Sequence, residues 1–422
     1  MRILGAALTA SVLLAFASPA QAGRWTESRT VASPGPSFGP DLAVNSRGDA
    51  VLGWSTRDSV WVAFAKRGSG FGKPRQLTGV PKPGGVRVDL DDRGNAAIGW
   101  MYDDETYVEE PELREDGCCD RLAGAVKPAG RSLFGPARTL SKAGIHLVNW
   151  DLAAAPDGGG FLWTEGDPYE GSDFKAAFGN ARGTVGGSRK VLPAGDFAGV
   201  SILRRRDGST TLAVSRGDGL LFERVRTPAG RFGPRRTIAR RRRDDSVTRR
   251  WSYGRDQEFA VFDSLTTTTW STRSRGGSFR TFRKLPGDVS AAGDVALDGS
   301  ALSLTEVGEP PSLVAAYLAP GAPRFVAARQ RIARHSRYSL ISPVAAAANR
   351  GRGMAVWEVA PEEGPSRVFA RRLHRGAPVG ATRRLSIDGG PAHSPAAAAT
   401  PSGRTYVAWV ETGRIAVARY IP

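Results

Sequence analysis

The chain has 422 residues and only two cysteines, which are adjacent, so no disulfide can tie distant segments together and the fold must stand on its apolar core. Its 59 Lys and Arg against 41 Asp and Glu give a formal charge of +18, with Arg scattered along the whole length and no Lys-rich tail. That balance favours acidic partners over a dedicated nucleic-acid arm, and most of it reads as a solvated Arg-rich surface.

Residues 1–22, MRILGAALTASVLLAFASPAQA, carry one cation at Arg2, an apolar stretch from Ile3 to Phe16 and a small-residue exit at Ala20-Gln21-Ala22. This is the pattern of a secretory signal peptide, so the mature chain is expected to begin near Gly23 and to be secreted or held at the cell wall. No later apolar run approaches the ~20 residues that a membrane-spanning helix needs.

From Gly23 onward a unit recurs roughly every 50 residues. In the first copy, DLAVNSRGDAVLGW reads as strand, tight turn and strand, with Asn45 to Asp49 supplying the turn and apolar residues on both alternating faces. Gly48 to Trp54 is echoed at Gly94 to Trp100, Gly351 to Trp357 and Gly403 to Trp409, and one residue shorter at Asp157-Gly158 to Trp163. Weaker copies run from Asp207-Gly208 to Val214, from Asp256 to Phe262 and from Asp298-Gly299 to Thr305. A third strand follows, as at Val60 to Lys66 and Phe174 to Ala181. A closing segment comes last, at Phe71 to Leu77, Phe134 to Leu140, Phe232 to Ile238, Phe279 to Leu285 and Val379 to Leu385.

A unit of this length cannot bury its own faces and must pack against copies of itself. The last unit stops at Pro422 after its third strand, and a segment of closing type, Gly23 to Val31, precedes the first unit. An N-terminal strand that completes the last unit removes free sheet edges. The expectation is therefore an all-β, eight-bladed β-propeller forming one domain over residues 23–422, or seven blades if the weak copy at Asp256 or Asp298 merges with a neighbour. The repeated Trp residues are expected as anchors between blades.

In this pattern the chain resembles secreted bacterial β-propeller repeat proteins, loosely allied with sialidase-like and WD-repeat propellers. The resemblance is architectural: the Gly-His and Trp-Asp signatures of WD repeats are missing. Near Asp92-Arg93-Gly94, Leu90 stands where a sialidase-type box has Ser. It implies no active site that can be carried over.

Function is expected on the face that carries the loops between second and third strands, because loops on a rigid scaffold bind ligands. The longest such loop, Tyr102 to Arg121, holds Asp103, Asp104, Glu105, Glu109 and Glu110 and the pair Cys118 and Cys119, which can close a vicinal disulfide. The equivalent loop of the third unit adds Glu165 and Asp167. This acidic rim on a basic protein is the candidate ligand site, and Ca²⁺ is the cofactor such clustered carboxylates suit, although no EF-hand-type loop occurs. The four histidines, His146, His335, His374 and His393, show no zinc-ligand spacing. The run Arg240 to Arg243 offers a further grip for an anionic polymer.

These features favour a monomeric, non-catalytic binding or scaffold protein whose extracellular ligand is a glycan, an anionic polymer or a protein, with nucleic acid disfavoured. The alternative is a sialidase-like glycoside hydrolase or polysaccharide lyase. It would use carboxylates at second-strand exits, namely Glu165, Asp263, Glu306, Glu358 and Glu411.

Overall fold

The repeat dictates where strands form. In the hairpin at Asn45–Asp49, the Asn45 side-chain Oδ1 accepts the N–H groups of Arg47 (3.1 Å) and Asp49 (2.9 Å), and Gly48 takes φ +92°, a conformation open to glycine at little cost. Asp91 repeats the device, accepting from Arg93 and Asn95 at 2.9 and 2.8 Å.

A computed structural model describes residues 23–422 except 33–37, 104–119, 144–146, 157, 168–170, 196, 205–207, 217–219, 241–247, 254–256, 264–267, 275–282, 285–288, 309–311, 328–329, 335–337, 362 and 388. In parts of the chain, notably residues 248–253, 257–263 and 268–269, only the backbone is described. Among the described residues there is no helix; the strands form eight antiparallel sheets of four or five strands each. Their first strands are Asp41–Val44, Pro83–Leu90, Leu147–Ala153, Phe197–Arg204, Thr248–Tyr253, Val289–Val295, Tyr338–Ala348 and Ala392–Ala399, and the sheets are numbered here in that order. The weak copies that end at Phe262 and Thr305 belong to separate sheets, the fifth and the sixth. The outer edge of the sixth sheet is split into two short strands, Val326–Ala327 and Ala333–Arg334, both paired with Ser312–Leu318.

First strands of consecutive sheets lie side by side, and the eighth, Ala392–Ala399, lies against the first, Asp41–Val44. The eighth sheet takes its outer edge from the N-terminal segment. Arg24 and Trp25 pair with Ile421 and Tyr420, and Arg29–Ala32 pairs with the stretch from Val417 to Ile415. Trp25 packs edge-on against Tyr420 at 5.5 Å between ring centroids, and the Ser28 hydroxyl donates to Leu385 O of the seventh sheet at 3.0 Å.

The core sits between sheets rather than within one. Trp54, Trp100, Trp163, Trp357 and Trp409 are fully buried, and each enters a cluster supplied by its own sheet and the one before it. Trp100, for example, meets Val51, Val60 and Val62 of the first sheet. Removal of one such indole costs about 3–5 kcal/mol.

The closing segments add a second inter-sheet contact. Phe71, Phe134 and Phe232 pack on Tyr406, Phe64 and Phe178 of the preceding sheet at 6.0, 5.7 and 6.0 Å. The glycine after each Phe donates its N–H to the third strand of its own sheet: Gly72 to Phe64 O, Gly135 to Val126 O and Gly233 to Val225 O, at 2.8 to 3.0 Å. The Phe-Gly dipeptide is thus a corner that turns the chain back while its ring reaches the neighbouring sheet.

The three corners differ in room. A Cβ at Gly135 would overlap the carbonyl oxygen of Gly183 in the third sheet, whereas one at Gly72 would meet only Phe64 O at 3.6 Å. Backbone cannot yield as a side-chain tip can, so Gly135→Ala is expected to cost about 2 kcal/mol or more and Gly72→Ala less than about 1 kcal/mol. Thermal melts of the two variants check this, and equal losses would refute it.

Candidate functional site

Where the first strands converge they leave a central cavity of about 900 Å³. Its wall comes mainly from the later halves of these strands and the turns that follow them. Asn45 and Ser46, Asp91 to Arg93, Pro156, Leu297 and Pro401 lie at the turn end, and small apolar residues such as Ala345, Ala347 and Ala396 to Ala399 lie along the shaft. By the alternation of antiparallel strands, this is the end opposite the second-to-third loops.

A first strand has one ladder neighbour, so alternate backbone N–H groups face the axis without a ladder partner. Aspartates supply acceptors. Val88 N donates to Asp41 Oδ2 at 2.8 Å, Ala154 N to Asp89 Oδ2 at 2.8 Å, Ile202 N to Asp151 Oδ2 at 3.0 Å and Ala347 N to Asp294 Oδ2 at 2.8 Å. In every case the carboxylate of one sheet holds the first strand of the next. Asp89, Asp151 and Asp294 use their other oxygen on the N–H of the following residue in their own strand. Arg87 reinforces the second such joint: it stacks on the Trp150 ring at 4.7 Å, lies 3.8 Å from Asp151 Oδ1 and donates to Trp150 O.

Burial raises both Asp89 and Asp151. Asp89 is pushed up to about 6, with Asp151 and Asp91 adding repulsion and two backbone N–H bonds opposing the rise. For Asp151 burial again dominates, against the attraction of Arg87. The sequence signal for this set is Asp followed by Leu or Val within the first strand, at Asp41, Asp89, Asp151 and Asp294. It is recognisable only once the inner strand is known.

The second-strand exits carry the carboxylates considered for hydrolysis, and three of them, Glu165, Glu358 and Glu411, are engaged. Glu165 is buried, accepts the Trp163 indole N–H at 2.9 Å and pairs with Lys175. Glu411 is likewise buried and accepts from Trp409 Nε1 at 3.1 Å and Ile387 N at 2.7 Å. Glu358 accepts from Ser394 N at 3.0 Å. Where the second residue after the Trp is not acidic, at Trp100 and Trp357, the indole N–H has no hydrogen-bond partner. The acids at 165 and 411 therefore serve their own tryptophans. Burial raises the Glu306 carboxyl, and the side chain of Asp263 lies outside the described residues.

Of the acidic rim, Asp103 ends the second strand of its sheet and lies 3.6 Å from Lys82 Nζ. It faces Asp120 across the ladder, and burial together with Asp103 raises the Asp120 carboxyl. Asp104, Glu105, Glu109, Glu110, Cys118 and Cys119 lie outside the described residues, as does the side chain of Asp167, whose backbone pairs with Gly171. The structure thus places Asp103 and Glu165 on two neighbouring sheets, each with a lysine partner. Among the described residues no three His, Cys, Asp or Glu side chains gather as a cation site, and no helix is long and apolar enough to cross a membrane.

No protein-family model and no curated protein matches the sequence. Among solved structures, the fold is similar to the BP39L lectin from Burkholderia pseudomallei, with a TM-score of 0.51 and 10% identity over 81% of this chain and 99% of the lectin. It is also matched by a protein of unknown function from Dyadobacter fermentans (TM-score 0.43, 11% identity, 94% of this chain and 99% of that one). The microbial sialidase Hz136 gives a TM-score of 0.38 at 10% identity, over 90% of this chain and 64% of that chain. At these identities the likeness concerns architecture alone, and it gives an all-β, propeller-like fold.

The raised carboxyl of Asp89 has a defined pH signature. A native group near 6 against about 3.8 unfolded binds protons more tightly when folded, so its stabilising contribution is present at acid pH and is lost as pH rises through about 6. Asp89→Asn is therefore expected to lose less stability than the parent between about pH 4.5 and pH 7.5. The gap between the two should close by up to about 2 kcal/mol, because part of the effect of a shift of about two pKa units is already lost below pH 4.5. Melting temperatures across that range check it; a gap that widens with pH would mean that the backbone N–H bonds hold the ionised form.

Proposed function

We propose that this protein is an exported, non-catalytic binding propeller. The eight sheets are the eight blades of one ring, sealed by residues 24–32 as the outer edge of the last blade, and the ligand sits on the face of the second-to-third loops. The observation that carries the non-catalytic reading is the engagement of Glu165, Glu358 and Glu411 by tryptophan indoles, backbone N–H groups and Lys175. Glycoside hydrolysis needs two carboxyl groups about 5–9 Å apart, one of them ready to give up a proton and the other to attack or to activate water. Carboxylates buried against their own fold supply neither role.

The length and acidity of the 104–119 loop support the choice of face, as does the like-charged pair of Asp103 and Asp120 at its base. Opposed carboxylates on neighbouring strands repel, and with Lys82 already beside Asp103 a further cationic or hydrogen-bonding group at the rim would relieve what repulsion is left. A glycan hydroxyl or amine, a basic protein surface or Ca²⁺ would do so.

The mature protein, applied to an array of neutral, cationic and anionic glycans at about 0.15 and about 0.5 M salt, is expected to retain a defined ligand at the higher salt, where exposed charges beyond ~5 Å are screened. Replacement of residues 104–119 by a short Gly-Ser turn is expected to abolish that retention while leaving the melting temperature within a few degrees. Release of sugar from any array member, abolished by Glu165→Gln, would overturn the reading in favour of a hydrolase.

A further inference from the structure

On the opposite face, at the joint between the third and fourth sheets, guanidinium groups gather around two phenyl rings. Phe232 of the fourth sheet's closing turn meets Phe178 of the third sheet at 6.0 Å. Arg226 lies over Phe178 at 4.1 Å, and Arg224 and Arg189 over Phe232 at 5.1 and 5.8 Å. Arg235 lies over Phe222 at 4.8 Å. Arg224 is held further, by hydrogen bonds from Nε to Gly233 O at 2.9 Å and from one terminal nitrogen to Val191 O at 2.7 Å. Among the described residues the carboxylates of these two sheets are engaged: Asp173 pairs with Lys190 at 2.7 Å, and the buried Glu223 lies 3.8 Å from Arg236.

We infer that this joint is a binding site for a linear acidic polysaccharide carrying carboxylate or sulfate groups. Three physical features lead there. Stacking on an aromatic ring fixes a guanidinium and removes part of the entropy it would lose on binding an anion, and the planar fork suits carboxylate and sulfate oxygens in pairs. The exposed Arg182 and Arg231 extend the positive track along the turns of two adjacent sheets, as a chain with regularly repeated charges would require. The ring faces are already covered by guanidinium groups, so they offer no platform for the base stacking through which single-stranded nucleic acid is held. Other joints carry fewer such cations among the described residues: Lys127 over Phe64 at 5.3 Å between the first and second sheets, and Arg372 over Tyr420 at 4.9 Å with Arg383 over Trp25 at 5.9 Å between the seventh and eighth, so the Arg cluster is densest at this joint. The export signal expected from residues 1–22 places such a polymer within reach of the protein. The site is independent of the acidic rim, which lies on the other face.

The test uses the mature protein with polygalacturonate, heparin, neutral dextran and duplex DNA, at several salt concentrations. Arg231→Ser with Arg235→Ser removes two exposed cations from the joint. Arg384→Ser with Arg414→Ser removes two exposed cations from the seventh and eighth sheets and keeps net charge equal. The first double variant is expected to weaken polygalacturonate or heparin binding at least about tenfold near 0.15 M salt and to lower the slope of log affinity against log salt by about two. The control is expected to weaken it less than about threefold, and the 104–119 replacement to leave it unchanged, which separates this site from the rim. Equal losses in the two double variants would show attraction by net charge alone, and tighter binding of DNA than of either polysaccharide would show the wrong polymer; each outcome overturns the inference.

Discussion

Everything in this molecule depends on the wedge between adjacent sheets. A four-stranded sheet with apolar residues on both faces has no stable existence alone, and here each face is covered by the neighbouring sheet. A fully buried indole from the second strand sits at each joint where the repeat is cleanest. That requirement accounts for the period of the sequence, for strands such as Ala50–Ser55 and Thr405–Glu411 that are buried along their whole length, and for the Phe-Gly corners that bring a second ring across three of the joints. Once the faces are covered, the inner edge is what remains, and the aspartates of the first strands cover it by accepting N–H groups from the next sheet.

The disposition of charge follows from the same geometry. Carboxylates point inward, toward backbone N–H groups and indoles that burial would otherwise leave without acceptors. Guanidinium groups point outward, where their long stems cover the rims of aromatic rings and their heads reach water. A strongly basic chain therefore has an interior joined by acids and a surface rich in cations. The acids suited to joining sheets are poorly placed to do chemistry, while the surface cations suited to binding cluster where two closing turns meet.

The strand order, the turns, the Trp anchors and the closing segments were legible because each has a local cause. Alternation sets strands, Asx residues and Gly set turns, and a large ring repeated at one position marks a joint. The third and sixth sheets were less legible at their outer edges. Arg189–Gly195 and the split pair Val326–Ala327 and Ala333–Arg334 lack the Phe-Gly corner, so nothing local announces them. The exit acids illustrate a different limit. Glu165 and Glu411 stand two residues after a Trp, and only the side-chain geometry shows that they accept its N–H rather than face a substrate.

By itself, then, the sequence determined an all-β repeat with apolar faces in need of neighbours, an N-terminal segment of closing type and a basic surface, since all of these arise from contacts between residues near one another in the chain or from composition. Tertiary structure alone decided that Asp41, Asp89, Asp151 and Asp294 join neighbouring sheets around one axis, and that Arg189 meets Arg224 and Arg226 over Phe178 and Phe232. Those partners lie in different repeats, and a period of about 50 residues does not reveal which side chains of one unit face which backbone groups of the next.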